Sequence, residues 1–192
     1  REEAEKIFDI LTPFAGYGFN KSHATAYSVV AYRTAYLKAN YPAEFMAANL
    51  YNEIADTDKL TAYISEARTM GLKVLAPDIN TSEAAFTVEH GDIVYGFLGI
   101  KGVGEGVARA IEAERRAHGK FHDIADFMCR LTDAGLNRKV LESLILAGCF
   151  DSLGYKRKQL VNNLEGLLDW TNAKCEYESS RQGSLFDMDD ET

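Results

Sequence analysis

The sequence has 192 residues, 46% of them hydrophobic, and a formal net charge of −8 at pH 7. Its apolar runs are short and broken by charged residues, which excludes a membrane-spanning helix, and its acidic N-terminus is unlike a signal peptide. The sequence starts within a predicted helix and without an initiator Met, which we interpret as a piece of a larger protein.

The first 70 residues are predicted to be helical. One helix ends near Leu11 and is followed by a glycine loop. Ser22 is the predicted N-cap of a long helix that runs to about Asn40. Pro42 starts the next helix, and the apolar periodicity predicts a fourth helix from about residue 58 to residue 70.

The pattern changes after residue 70. Short strands are predicted at residues 74–75, 86–88 and 93–95, and a hairpin turn at residues 90–92. Short helices are predicted from Gly102 onward. After Trp170 the sequence becomes polar and acidic, and we expect disorder from about residue 175. The predicted fold class is therefore mainly α with a small β element.

The acidic charge is concentrated at the C-terminus. Residues 176–192 contain six acidic residues and one arginine, whereas residues 84–175 contain 12 residues of each sign. Cations elsewhere in the chain can therefore still bind phosphate. The cysteines form no Cys-x-x-Cys pair, so we expect neither a zinc site nor a disulfide framework. A reducing cytoplasm fits this cysteine usage best.

The stretch FLGIKGVGEGVARAIEAERR, residues 97–116, has the spacing of a helix-hairpin-helix motif. Its glycines allow a tight turn and close approach to another chain, and the helix N-terminus that follows favours phosphate. We therefore predict a sequence-independent contact with a DNA backbone. A plain helix-turn-helix corner is the alternative, and Glu105 would repel phosphate. Val103 is expected to point inward between the helices. The predicted contact residues are Lys101, Gly102, Val103, Gly104 and Arg109.

A second hairpin-like layout occurs in LNRKVLESLILAGCFDSLGYKRKQL, residues 136–160, although it lacks the Gly-x-Gly pair. One interpretation gives Lys156, Arg157 and Lys158 a contact with the DNA backbone. The other is a degenerate partner motif that only completes the fold. The pattern leaves both open.

Lys21, Ser22 and His23 follow the glycine loop at a predicted helix N-terminus. Such a position offers a helix dipole, amide donors, a positive charge and an imidazole to a polyphosphate. The segment is not a P-loop, because the Gly-x-x-x-x-Gly lead-in is missing. From the residues alone, the favoured interpretation is that Ser22 is only a cap and His23 a surface or internally satisfied histidine.

Several long segments resemble one protein family. FAGYGFNKSHATAYSVVAYRTAYLKANYPAEFMAANL resembles the fingers of the bacterial replicative C-family polymerases, the alpha subunits of DNA polymerase III. The resemblance continues, in the order of the family, through YISEARTMGLKVLAPDIN, YGFLGIKGVGEGVARAIEAER and LNRKVLESLILAGCFDSLG. It covers nearly the whole chain.

The resemblance implies a division of the chain and a role for each part. The end of the polymerase fingers would occupy residues 1–80, a β-hairpin connector residues 81–98, a tandem helix-hairpin-helix DNA-binding domain residues 99–174, and a flexible tail residues 175–192. The fingers close over the incoming deoxynucleoside triphosphate. The predicted nucleotide-binding residues are Lys21, Ser22, His23 and, as a weaker candidate, Arg33.

The tail contains RQGSLFD, which resembles the Gln-x-x-Leu-Phe motif that binds the bacterial sliding clamp. The predicted clamp-binding residues are Gln182, Leu185 and Phe186, and a solvated acidic tail is the alternative. The aspartates that follow belong to a flexible charged run, and we predict no metal site here, because two-metal transfer needs carboxylates on rigid elements.

The resemblance implies that the parent protein is a DNA-directed DNA polymerase in the bacterial cytoplasm, with other replisome subunits as further partners. The catalytic carboxylates and the Mg²⁺ ions would belong to the palm, outside this sequence. We therefore expect no cofactor and no activity in this segment alone. The alternatives are a stand-alone helix-hairpin-helix module of a repair protein, and an adaptor that binds only the clamp.

Overall fold

The computed structural model describes residues 2–14, 20–171 and 173–174. The first half is helical. Its helices are α1 (Glu2–Leu11), α2 (Lys21–Asn40), α3 (Pro42–Asn52) and α4 (Thr57–Thr69). No residue of α1 or α2 is buried, whereas α3 and α4 pack against each other. Within the described part of the chain, no helix is both long and apolar enough to cross a bilayer.

A small three-stranded sheet follows, with β1 (Val74–Leu75), β2 (Thr87–Glu89) and β3 (Asp92–Val94). The order is β1-β3-β2, with β3 parallel to β1 and antiparallel to β2. The turn between β2 and β3 contains two residues with positive φ, His90 at 53° and Gly91 at 84°. Positive φ at both central residues gives the twist that a two-residue hairpin needs. The strands predicted from the sequence are confirmed within one residue.

The second half consists of short helices. They are α5 (Glu105–His118), α6 (Ile124–Arg130), α7 (Arg138–Ala147) and α8 (Arg157–Asn162), and residues 164–171 are also helical. Single 3₁₀ turns occur at Phe97–Gly99, Thr132–Ala134 and Asp151–Leu153. The prediction of a mainly α fold with a small β element is confirmed.

The buried residues form two hydrophobic clusters. The first joins α3 and α4 to the sheet through Met46, Leu50 and Ile93. The second joins the helices of the second half. Tyr95 packs against both clusters, and its hydroxyl donates to the Gly99 carbonyl at 2.9 Å. The domain division at residue 80 stays a prediction, and β1 lies before it while its partner β3 lies after it.

Two expectations need correction. The N-cap of α2 is Asn20 and not Ser22, because the Asn20 Oδ1 accepts the His23 amide at 3.0 Å and the helix already begins at Lys21. Cys129 is disulfide-bonded, which we did not expect. Cys149 is a free, buried core residue, and burial raises the pKa of its thiol to about 12.

Candidate nucleic-acid interface

The first hairpin turns at residues 100–104. Gly102 has a φ of +94°, a conformation that an L side chain rarely adopts. The Val103 amide donates to the Ile100 carbonyl at 3.1 Å, and the Val103 side chain is only 7% exposed. Val103 therefore points inward, as predicted, and it anchors the corner while the glycines remain at the surface.

The amides of Gly102 and Gly104, on either side of Val103, have no hydrogen-bond partner within the described part of the chain. Helix α5 begins at Glu105 with Gly104 as an N-cap that supplies no side-chain acceptor. The first intrahelical bond runs from the Ala108 amide to the Gly104 carbonyl, so the amides of the first turn lack helical partners.

The corner is sterically open at Gly104 and Gly106. A Cβ atom added to Gly104 or to Gly106 would meet no atom within 4 Å. The corner therefore combines unpaired amide donors with room for a second molecule, which is the geometry that a backbone phosphate contact requires.

The two cations predicted near this corner differ in their surroundings. Lys101 is exposed and has no carboxylate partner within the described residues. The Arg109 Nε donates to the Glu105 Oε1 at 2.8 Å, and this hydrogen bond raises the pKa of Arg109. The pair neutralises the Glu105 carboxylate, which reduces the repulsion of phosphate that the sequence suggested. A contact of Arg109 with DNA stays a prediction.

The second hairpin joins α7 to α8. Gly148 and Gly154 both adopt left-handed conformations, with φ of 92° and 83°, and the buried Phe150 lies between them. The chain therefore has a tandem arrangement of two helix–turn–helix units, although the second turn lacks the open Gly-x-Gly corner.

Arg157 stabilises this second turn by hydrogen bonds. Its Nε donates to the Asp151 Oδ1 at 3.0 Å and its Nη1 to the Leu146 carbonyl at 3.1 Å. The guanidinium lowers the pKa of Asp151 by hydrogen bonding. Lys156 and Lys158 are exposed and have no carboxylate partner in the described part of the chain. Of the three predicted cations, these two lysines are the ones free to meet a phosphate.

Sequence reasoning missed a contact between the first hairpin corner and α7. The Ser143 Oγ of α7 lies 3.0 Å from the position of a Cβ added to Gly102. Glycine at position 102 is therefore favoured by its positive φ, and the Ser143 hydroxyl leaves little room for a side chain there. No sequence signal links these two positions, because they lie 41 residues apart and meet only when the helices pack.

Lys21, Ser22 and His23 form the first turn of α2, where the amide dipoles are directed at the N-terminal end. The side chains of all three are exposed, and the His23 ring lies 4.3 Å from that of Tyr27 between ring centroids. Arg33 follows Ser22 by three turns, about 16 Å along the axis, so these two residues cannot touch the same phosphate group. The nucleotide contacts stay predictions.

The remaining site predictions cannot be placed. Gln182, Leu185 and Phe186, and the acidic tail as a whole, lie outside the described residues. The same holds for the glycine loop at residues 15–19. Within the described residues, no group of His, Cys, Asp and Glu side chains could hold a metal ion.

Comparison with known proteins agrees with this geometry. Residues 71–160 match a family model described as a helix-hairpin-helix motif. The DNA polymerase III subunit alpha of Treponema pallidum (strain Nichols) is 53% identical over 190 residues, which is 99% of this chain. Those of Borreliella burgdorferi and Thermus aquaticus are each 50% identical, over 97% and 88% of the chain.

The chain spans only 16% of the length of the Treponema and Borreliella proteins and 14% of the Thermus protein. Identity of this level over almost every residue of the chain, together with the hairpin geometry, shows common descent with one segment of those proteins. The chain therefore belongs to the DNA polymerase III alpha-subunit family.

Proposed function

We propose that the chain serves template-directed DNA synthesis as a segment of a replicative polymerase in the bacterial cytoplasm, and that it holds duplex DNA by its phosphate backbone. Nucleotidyl transfer and its Mg²⁺ ions would belong to other segments, so that this segment alone is inactive. The named relatives are all polymerase subunits, which supports this role over a module of a repair protein or a clamp adaptor.

One observation carries the proposal. The backbone amides of Gly102 and Gly104 have no acceptor among the described residues, and they lie beside the exposed Lys101, while the Val103 amide between them is bonded to the Ile100 carbonyl. Hydrogen bonds from amides to a charged phosphate contribute about 1.5–3 kcal/mol each. Contacts with phosphates carry no information about the bases, so this binding is independent of the DNA sequence.

Replacing Gly104 by Val should weaken duplex binding about tenfold or more and leave the fold intact. Gly104 has φ −82° and ψ 162°, a conformation that suits a β-branched residue, and its Cβ position is empty. The added methyl groups would stand where a DNA backbone must approach the amides. Fluorescence anisotropy with a labelled duplex measures the affinity, and thermal unfolding checks the fold.

Gly166→Ala is the matched control, because this exposed helical glycine also has an empty Cβ position but belongs to neither hairpin turn. Its duplex affinity should equal that of the wild type. Wild-type affinity in the folded Gly104→Val variant would contradict the proposed grip. So would a duplex affinity that does not fall as salt rises, because phosphate contacts release counterions.

The proposed role of the α2 N-terminus is to contact the phosphates of the incoming nucleotide. In the complete polymerase subunit, Lys21→Ala should lower kcat/KM for the deoxynucleoside triphosphate by about tenfold or more, equivalent to about 1.4 kcal/mol. Steady-state primer extension measures this. Lys59→Ala is the control, because Lys59 already pairs with Glu53 at 3.0 Å. An unchanged kcat/KM in Lys21→Ala would refute the assignment.

We also propose that Gln182, Leu185 and Phe186 tether the polymerase to the sliding clamp. Burying a Leu or Phe side chain contributes about 1.5–3 kcal/mol, and ordering a peptide offsets part of this gain. The isolated contact is therefore weak. Attachment to a DNA-bound neighbour raises its effective concentration and makes it useful.

A further inference from the structure

Helix α7 places one polar side chain against the first hairpin corner. The Ser143 Oγ lies 3.0 Å from the position of a Cβ added to Gly102, whereas the Ser143 Cβ lies 3.9 Å from that position. The hydroxyl is therefore the part of the side chain that is directed at the corner. Ser143 is half-buried, and its Oγ keeps contact with solvent, so a second molecule can reach it.

The Ser143 hydroxyl is not used by its own helix. A serine or threonine within a helix commonly donates to the carbonyl group four residues earlier, as Ser28 does in α2 at 2.7 Å and Thr61 does in α4 at 2.8 Å. Ser143 makes no such bond, and its hydroxyl has no hydrogen-bond partner in the part of the chain that the structure describes. The hydroxyl proton is therefore available to an acceptor on another molecule.

The charges around this hydroxyl favour an anionic acceptor. Lys101 belongs to the corner itself, and Lys139 lies one turn before Ser143 on the same face of α7. Both lysines are exposed, and neither has a carboxylate partner among the described residues. Glu142 is the acidic neighbour on α7, but consecutive helical residues do not face the same direction. The Glu105 carboxylate of the corner is already paired.

We propose that the Ser143 hydroxyl donates a hydrogen bond to the same DNA phosphate as the Gly102 and Gly104 amides, so that α7 completes the phosphate site of the first hairpin. This inference rests on the proposed duplex binding. Serine hydroxyls and backbone amides are both common donors to DNA phosphates, and the oxygens of one phosphate can accept from both. Since α7 leads into the second hairpin turn, the contact also joins the second helix–turn–helix unit to the DNA strand that the first one holds.

The test measures the affinity of the chain for a fluorescein-labelled duplex. Ser143→Ala should weaken binding about fivefold, the loss of one hydrogen bond, without changing the slope of log affinity against log salt, because a neutral donor releases no counterion. Ser143→Asp should weaken binding about tenfold or more, because its carboxylate would face the phosphate. Ser65→Ala and Ser65→Asp are the matched controls, because Ser65 is an exposed serine within α4 and belongs to neither hairpin. Both should bind the duplex like the wild type.

Mutations that act on one phosphate should not be additive, so Ser143→Ala should cost less than about twofold in the Gly104→Val background. Wild-type duplex affinity in both Ser143 variants would overturn the proposal. So would a loss of affinity that always accompanies a lower melting temperature, since the serine would then only pack the corner. If Gly104→Val alone weakens binding, the amides hold the duplex and only the role of α7 is wrong. If no variant weakens binding, the proposed duplex binding fails as well.

Discussion

Replacing Phe127 by Ala should lower the free energy of unfolding by about 3–5 kcal/mol. The Phe127 ring is fully buried. It makes edge-on contacts with Phe121 and Phe150, with 5.1 Å between ring centroids in each case. Phe121 precedes α6 and Phe150 lies in the second hairpin turn, so the lost ring leaves a cavity between the elements that hold the hairpins together.

Urea denaturation followed by circular dichroism measures this change. Phe8→Ala is a suitable control, because Phe8 on α1 is 70% exposed in the chain and its removal should cost well under 1 kcal/mol. Under conditions in which Phe127→Ala is partly unfolded, we also expect its affinity for duplex DNA to fall. A loss of stability no greater than that of Phe8→Ala would show that the aromatic contacts do not form the centre of the second cluster.

Gly96→Ala is expected to destabilise the protein by about 2–3 kcal/mol. An added Cβ would collide with the carbonyl group of Ala85 and come within 2.7 Å of the Phe86 amide nitrogen. These are backbone atoms and cannot rotate away. The Phe97 amide bonds to the Glu83 carbonyl at 2.9 Å and the Leu98 amide to the Ala84 carbonyl at 3.0 Å, so the two segments cannot separate without losing these bonds.

The same denaturation experiment compares Gly96→Ala with Gly166→Ala. The added Cβ of Gly166→Ala meets nothing within 4 Å, and the change should stabilise the chain by about 0.5–1 kcal/mol through helix propensity. Opposite signs for the two glycine substitutions are therefore expected. A urea midpoint of Gly96→Ala equal to that of the wild type would contradict the close approach between the backbone at Gly96 and that at Ala85.

The helices, the strands and the first hairpin could be predicted from the sequence, because each depends on neighbouring residues. Pro42 starts a helix, residues 90–92 make a turn, and a glycine beside Val103 makes a corner with an inward apolar anchor. The cap of α2 was predicted wrongly, since Asn20 and Ser22 are both good N-caps and only the backbone shows which one bonds the His23 amide.

The sequence by itself determined which short segments form helices, strands and tight glycine turns, and through long shared motifs it indicated the polymerase family. Only the tertiary structure decided which groups remain available to a ligand. It shows that Arg157 is engaged by Asp151, that Gly102 lies against Ser143, and that the amides beside Val103 find no partner among residues 2–14, 20–171 and 173–174. The physical reason is that periodicity and turn chemistry act over a few residues, whereas a hydrogen-bond partner or a close approach depends on segments that meet only after packing.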